Sequence, residues 1–145
     1  MIGRYAYPCT VEVDSNGFFV TRFPDIPEAI NGAERLTDLN HRAADALITA
    51  LNFCIEMGES LPVPSLADEN QATVTVPAIV AAKLALYETL CEGCIGKAGL
   101  ANRLDRPESY VDRLLDLHNR CYMEEVDQAL AALGRRVVVS VQVAD

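Results

Sequence analysis

Phe23-Pro24-Asp25-Ile26-Pro27-Glu28-Ala29 is the stretch on which the front of the chain turns, because a strand pattern stops there and a long helical pattern follows. Prolines at 24 and 27 fix φ and remove two backbone donors, so the run cannot lie in a central strand and is expected to be a shaped connection. Upstream, Tyr7, Cys9, Val11 and Val13 alternate with Thr10, Glu12 and Asp14, the signature of a half-buried strand. Asp14-Ser15-Asn16-Gly17 then reads as a hairpin turn in which Asn-Gly accepts positive φ, and Phe18 to Phe23 is the returning strand. Downstream, Ala29-Ile30-Asn31-Gly32-Ala33 is expected to be a short third strand. Thr37 is a good N-cap for a helix whose apolar residues Leu39, Ala43, Leu47, Leu51 and Ile55 recur at helical spacing down to Gly58. A Pro-rich linker from Gly58 to Ser65 and a polar run at 68–71 lead to a strand at Thr73-Val74-Thr75-Val76. The front unit, residues 1–77, is therefore βββαβ.

Beyond Pro77 the period becomes helical. Val80, Leu84, Tyr87 and Cys91 lie on one face of a helix that closes at Gly93. Residues 97–116 have the spacing of a helix-turn-helix: Leu100 and Leu104 face inward from the first helix, Ala101 is small where the helices cross, and Val111, Leu114 and Leu115 face inward from the second. A last helix carries Met123, Val126, Leu130 and Leu133 and stops at Gly134. The tail Val137-Val138-Val139-Ser140-Val141-Gln142-Val143 has strong β preference and is expected to be a strand that pairs with the front unit or with a second copy. The fold class is thus α+β, with a helical unit over residues 78–145.

Half of the 145 residues are hydrophobic and 23% are charged, which excludes a disordered chain. No stretch approaches the roughly 18 apolar residues of a membrane span, and no secretory leader is visible, so the expectation is a cytoplasmic protein with no membrane partner. Five cysteines, at 9, 54, 91, 94 and 121, sit among apolar neighbours and fit reduced thiols rather than a disulfide framework. The net charge of −9 is uneven: residues 1–70 hold four Arg and no Lys against eleven acids, whereas residues 71–145 hold eight basic and ten acidic residues. An acidic front attracts a basic partner and repels nucleic acid.

In that order, the alternating strand, Asn-Gly turn, aromatic strand, Phe-Pro-Asp-Ile-Pro-Glu-Ala run, amphipathic helix, Pro-rich linker and helix-turn-helix together resemble HicB, the antitoxin family of HicA–HicB toxin-antitoxin pairs. The resemblance covers nearly the whole chain. It implies a front unit that is a partial ribonuclease-H-like domain masking a HicA-like toxin, itself a small basic messenger-RNA-cleaving protein. It also implies a back unit that binds operator DNA and represses the operon. Where the family's turn usually has Gly, an apolar residue and a Ser cap, this chain has Asp105, Arg106 and Pro107, a departure that puts the shape of the turn in question.

Within that reading Phe19, Phe23, Asp25 and Glu28 are candidate toxin contacts. In the second helix of the pair Ser109 and Tyr110 are exposed near the N-terminus, Arg113 is the candidate for a base or phosphate contact, and Lys97, Arg103 and Arg106 hold the DNA backbone. Residues 97–120 carry five cations and four acids, so one copy should bind weakly and a homodimer or higher oligomer on paired half-sites is expected. No cofactor or metal is expected: Cys91-x-x-Cys94 is half of a zinc pattern, with only His118 and Cys121 downstream. Asp14, Glu12, Asp25 and Glu28 do not form a nuclease pattern, since one lies in a turn, one on a solvent face and one between prolines, and neither His41 nor His118 has a nucleophile beside it. The alternatives are a repressor without a toxin, whose front unit senses a ligand or oligomerises, and an acidic hydrolase of the ribonuclease-H-like kind.

Overall fold

Alternation in the first strand and the aromatic run after it produce a twisted antiparallel sheet in the computed structural model, which describes residues 5–33, 35–141 and 143. Strand β1 (Ala6–Val13) pairs with β2 (Phe19–Phe23), and β2 pairs with β3 (Ile26–Ala33). After helix α1 (Leu36–Glu56), strand β4 (Ala72–Thr75) pairs with the other side of β1, giving the order β3-β2-β1-β4. The βββαβ order is the one expected from the sequence.

Three local expectations change. Asp14 and Phe18 close the first hairpin around a three-residue loop in which Gly17 alone takes positive φ, at 84°, while Asn16 does not. The Asp14 carboxylate accepts the N–H groups of Asn16 (2.8 Å) and Phe18 (3.0 Å), so the residue organises the turn itself. Next, the proline run is mostly strand: only Pro24 and Asp25 form the turn, and β3 starts at Ile26, three residues earlier than expected. Pro27 is admissible there because β3 is an edge strand, and the register breaks between Arg22, opposite Ile30, and Phe23, opposite Ile26. Finally, α1 begins at Leu36, so Thr37 is already inside the first turn and Arg35 occupies the capping position without a side-chain bond.

One face of the sheet is covered by α1, whose Leu39, Ala43, Leu47, Leu51 and Ile55 are buried with Tyr7, Cys9, Phe23 and Ala29 in the same core. That core continues without a break into the helices α2 (Ala78–Glu92), α3 (Lys97–Leu104), α4 (Glu108–Leu115) and α5 (Met123–Ala132). Helix α2 is apolar on nearly every side, as befits a central helix, and it buries Val80, Leu84, Leu86, Tyr87 and Leu90. The linker after α1 is tied down by side chains: the Tyr7 hydroxyl donates to the Pro62 carbonyl (2.8 Å) and the Tyr87 hydroxyl to that of Glu59 (2.7 Å).

The expected pairing of the C-terminal segment with the front unit's sheet is a correction. Residues 135–141 and 143 form no strand, and Val138, Val139, Val141 and Val143 are mostly exposed. β preference alone does not make a strand, which needs a ladder partner to satisfy its backbone. The segment instead runs beside α2, held by an Arg135–Glu92 ion pair at 2.8 Å and by Val137 against the core; Gln142 lies outside the described residues.

Candidate functional site

Two surfaces collect the residues singled out above. The first is a groove of about 860 Å³ between β3 and α1. Its lining mixes apolar side chains, Pro27, Ile30, Ala50, Phe53 and Pro62, with acids, Asp25, Glu28, Asp45 and Glu59. Arg42 is the single cation among the lining residues, and its guanidinium donates to the Gly32 carbonyl at 3.3 Å, tying α1 to β3. Phe53 and Ile30 are 56% and 54% exposed, a high value for large apolar side chains on neighbouring elements. Beside them, burial raises the thiol pKa of Cys54, and the carboxylates of Glu59 and Glu28 add to the rise. The rise favours the neutral thiol over the more nucleophilic thiolate.

The candidate front residues separate in space. Glu28 and Asp25 both line this groove. Phe23 is buried at 1% exposure and supports the groove from beneath, while Phe19 is half-buried at the far end of β2, opposite Val13 and Ala33. Asp25 has a partner that lies forty residues away in sequence: its carboxylate accepts the Ser65 N–H at 2.8 Å and the Ser65 hydroxyl at 2.6 Å. The turn of the proline run thereby clamps the Pro-rich linker along the groove.

The second surface is the α3–α4 pair. Helix α3 ends with Asp105 in the left-handed region (φ 53°, ψ 48°), with its N–H on the Asn102 carbonyl (3.2 Å) and the Arg106 N–H on that of Ala101 (3.0 Å). This is the Schellman pattern in which Gly is the usual residue, so Asp105 keeps the turn's shape at a conformational cost. Pro107 caps α4 from just outside it. Leu100, Ala101, Val111, Leu114 and Leu115 are buried and Leu104 is half-buried, in line with the spacing.

All six back-unit candidates are on this face or its rim. Lys97, Arg103, Arg106, Ser109 and Arg113 are exposed and Tyr110 is half-buried. The Arg106 and Arg113 guanidinium groups lie 5.0 Å and 5.2 Å from the Tyr110 ring centroid, a cation–π arrangement that holds both side chains. Lys97 meets Asp112 at 2.7 Å, and Arg113 meets Glu125 at 3.5 Å. Arg103 reaches the Ala132 carbonyl at 3.5 Å.

Sequence reasoning missed the residues that hold α4 in place. Lys83 is 1% exposed, and its ammonium donates to the carbonyls of Asp116 (2.6 Å), Asn119 (2.7 Å) and, at 3.4 Å, Arg113. These lie at and beyond the C-terminus of α4, where carbonyls lack helical partners and the dipole favours a cation. Asn52 of α1 grips the same segment by accepting the Leu117 N–H at 2.9 Å. A lone Lys inside the apolar run Ala81-Ala82-Lys83-Leu84 was the available signal, since a Lys is almost never fully buried without partners.

Cys91 and Cys94 are both exposed at the end of α2, where Cys94 takes φ 51° in the helix-ending turn. His118 sits 3.4 Å from the Thr49 hydroxyl, and His41 lies beside Asp45 at 3.5 Å. Among the described residues no three His, Cys, Asp or Glu side chains converge as metal ligands would, and no helix is long and apolar enough to cross a membrane.

A family model described as "HicB_like antitoxin of bacterial toxin-antitoxin system" matches residues 6–85. Among curated proteins, the chain is 33% identical over 131 residues to "Antitoxin HicB" of Escherichia coli (strain K12), covering 90% of this chain and 95% of that protein. It is 32% identical over 143 residues to "Antitoxin HicB 1" of Photorhabdus laumondii, covering 98% and 90%. It is also 36% identical over 121 residues to "Antitoxin HicB" of Pseudomonas fluorescens, covering 83% of each.

Proposed function

The chain belongs to the HicB antitoxin family, and we propose that it neutralises a HicA-like toxin through the α1–β3 groove and represses its own operon through α3 and α4. The observation that carries the first part is the groove's composition, exposed apolar side chains among four acids and a single cation. A small basic RNA-cleaving protein has the opposite charge, because its own substrate is polyanionic, so the acids speed encounter and the apolar side chains supply the contact buried on binding. Neutralisation of this kind is occlusion and needs no catalytic group. On this reading residues 1–77 form the partial ribonuclease-H-like, toxin-binding domain, residues 78–145 form the DNA-binding one, and the protein works in the cytoplasm.

Co-expression with the neighbouring toxin gene tests the groove. Phe53→Ala combined with Glu28→Lys should abolish rescue of growth and weaken toxin affinity by at least 100-fold, since an apolar anchor and an opposed charge are both lost. Thermal unfolding should barely change, because both side chains are exposed. Full rescue by a stable double variant would remove the groove from the mechanism.

For the second part, the support is that α3 and α4, joined at the Asp105 turn, leave Lys97, Arg103, Arg106 and Arg113 exposed, with Ser109 and half-buried Tyr110 in the first turn of α4. Arg113→Ala should weaken binding to the chain's own promoter DNA, and an unchanged affinity would refute that role. Self-association through the exposed valines of the tail brings two helix pairs to paired half-sites, which sedimentation of a Val138→Lys, Val141→Lys variant checks as loss of the dimer.

A further inference from the structure

The acids on the α3–α4 face stand out against the role proposed for it. A surface that neutralises phosphate gains from each free Lys or Arg, yet residues 97–120 have a net charge of only +1. Two acids are placed directly on the cations. Asp112, exposed on α4 one turn after Glu108, has Oδ1 2.7 Å from Lys97 Nζ at the start of α3. Glu125 presents Oε1 to the Arg113 guanidinium at 3.5 Å, while its Oε2 accepts the Tyr122 N–H at 3.1 Å and so closes the first turn of α5. The side chains of Lys97, Asp112 and Arg113 are about half exposed, at 51%, 56% and 47%, and that of Glu125 is exposed at 26%. Ion pairs this wet are weak and exchangeable.

We infer that Asp112 and Glu125 act as built-in phosphate mimics, occupying Lys97 and Arg113 in the free protein so that DNA must displace a carboxylate to use either cation. This rests on the DNA-binding reading above. A carboxylate at 2.7 Å satisfies an ammonium in the geometry a phosphate oxygen would use, and it stays on the surface as a like charge once phosphate arrives. Random DNA offers only phosphate in exchange. A duplex that also gives Arg113 a guanine edge offers more, so both cations are recruited where base contacts accompany them. The two acids hold down the protein's affinity for any DNA without touching it.

The test uses the full chain, a short labelled duplex from its own promoter and an unrelated duplex of equal length and composition, titrated over a range of salt. Asp112→Asn keeps size and hydrogen bonding, and Glu125→Gln keeps the acceptor that caps α5. Each should tighten binding to the unrelated duplex by roughly three- to tenfold at low salt and steepen log K against log salt by about 0.9, one added phosphate contact. Adding Lys97→Gln to Asp112→Asn should cancel the gain. Variants that fold as the native chain does and bind neither duplex more tightly overturn the inference, leaving the pairs as braces between helices. A folded native chain that retards neither duplex at any salt overturns the DNA-binding reading itself, and this inference with it.

Discussion

Replacing Lys83 with Met keeps the length and apolar stem of the side chain and deletes its ammonium. Two short hydrogen bonds disappear, to the Asp116 and Asn119 carbonyls at 2.6 Å and 2.7 Å, with a long third one to Arg113. The Asp116 carbonyl keeps the Asn119 N–H at 3.1 Å and the Arg113 carbonyl keeps the Cys121 thiol at 3.6 Å, so the full cost of a missing donor, about 1–3 kcal/mol, falls on the Asn119 carbonyl. The variant is spared the desolvation of a buried ammonium, which offsets part of that loss. What is left weakened is a set of carbonyl dipoles rather than a charge, so the net cost should fall below the roughly 3–5 kcal/mol of a broken buried ion pair. We expect Lys83→Met to destabilise the fold by about 2–3 kcal/mol, one orphaned carbonyl plus two weakened ones less the spared desolvation. With a urea m-value near 2 kcal/mol/M, the midpoint should drop by about 1–1.5 M at unchanged m. Hydrogen exchange should show the amides around Leu117 losing protection first. Combining it with Asn52→Ala should give a non-additive loss, because both side chains hold one turn. A variant as stable as the native chain would show that the cluster of carbonyls is not what holds the end of α4.

Asp25→Ala or Ser65→Ala should cost about 1 kcal/mol and open the linker between Leu61 and Ala67 to limited proteolysis; unchanged cleavage there would mean that the clamp does not order it. Asp105→Gly should stabilise the protein by about 1 kcal/mol in the same urea assay, because the left-handed conformation at φ 53° is free of strain only for Gly. Burial lifts the hydroxyl pKa of Tyr5 and Tyr7 far above 10, and that of Tyr87 to about 12. Above pH 10 the unfolded chain loses these protons while the folded one keeps them, so stability is fully present below pH 10 and falls as pH rises beyond it, by up to about 1.4 kcal/mol per pH unit per tyrosine. Tyr7→Phe should flatten the alkaline limb, and a limb of the same steepness would argue against the assignment.

Elements whose evidence is local were legible in the sequence. The strand itself from Tyr7, the helical spacing from Leu39 to Ile55 and the inward residues of α3 and α4 each report a nearby environment, although Val11 and Val13, expected on the buried face with Tyr7 and Cys9, are 44% and 63% exposed where β1 runs past the core. The roles of Asp25 and Lys83 were not, because their partners lie forty and about thirty or more residues away, and no periodicity encodes a carboxylate meeting Ser65 or an ammonium meeting carbonyls. The valine tail failed for a related reason: preference is local, whereas a ladder partner is not. Pro27 misled in the opposite direction, since whether a proline ends a strand depends on whether that strand is at an edge. For the groove, the acidic balance of the front half was visible as charge, but the pairing of Phe53 with Ile30 across α1 and β3 was not.

The kinked start of β3 bears on how the protein keeps to itself. An outermost strand presents a line of unsatisfied backbone groups on which another chain can crystallise as an extra strand, the first step toward fibrils. Here that line carries a proline without a donor at 27 and a carboxylate at 28, both inside the break in register that falls between Ile26 and Ile30. Strand-by-strand growth from this border is therefore stopped near its first residues, and whatever settles against β3 has to be recognised by its side chains rather than by its backbone.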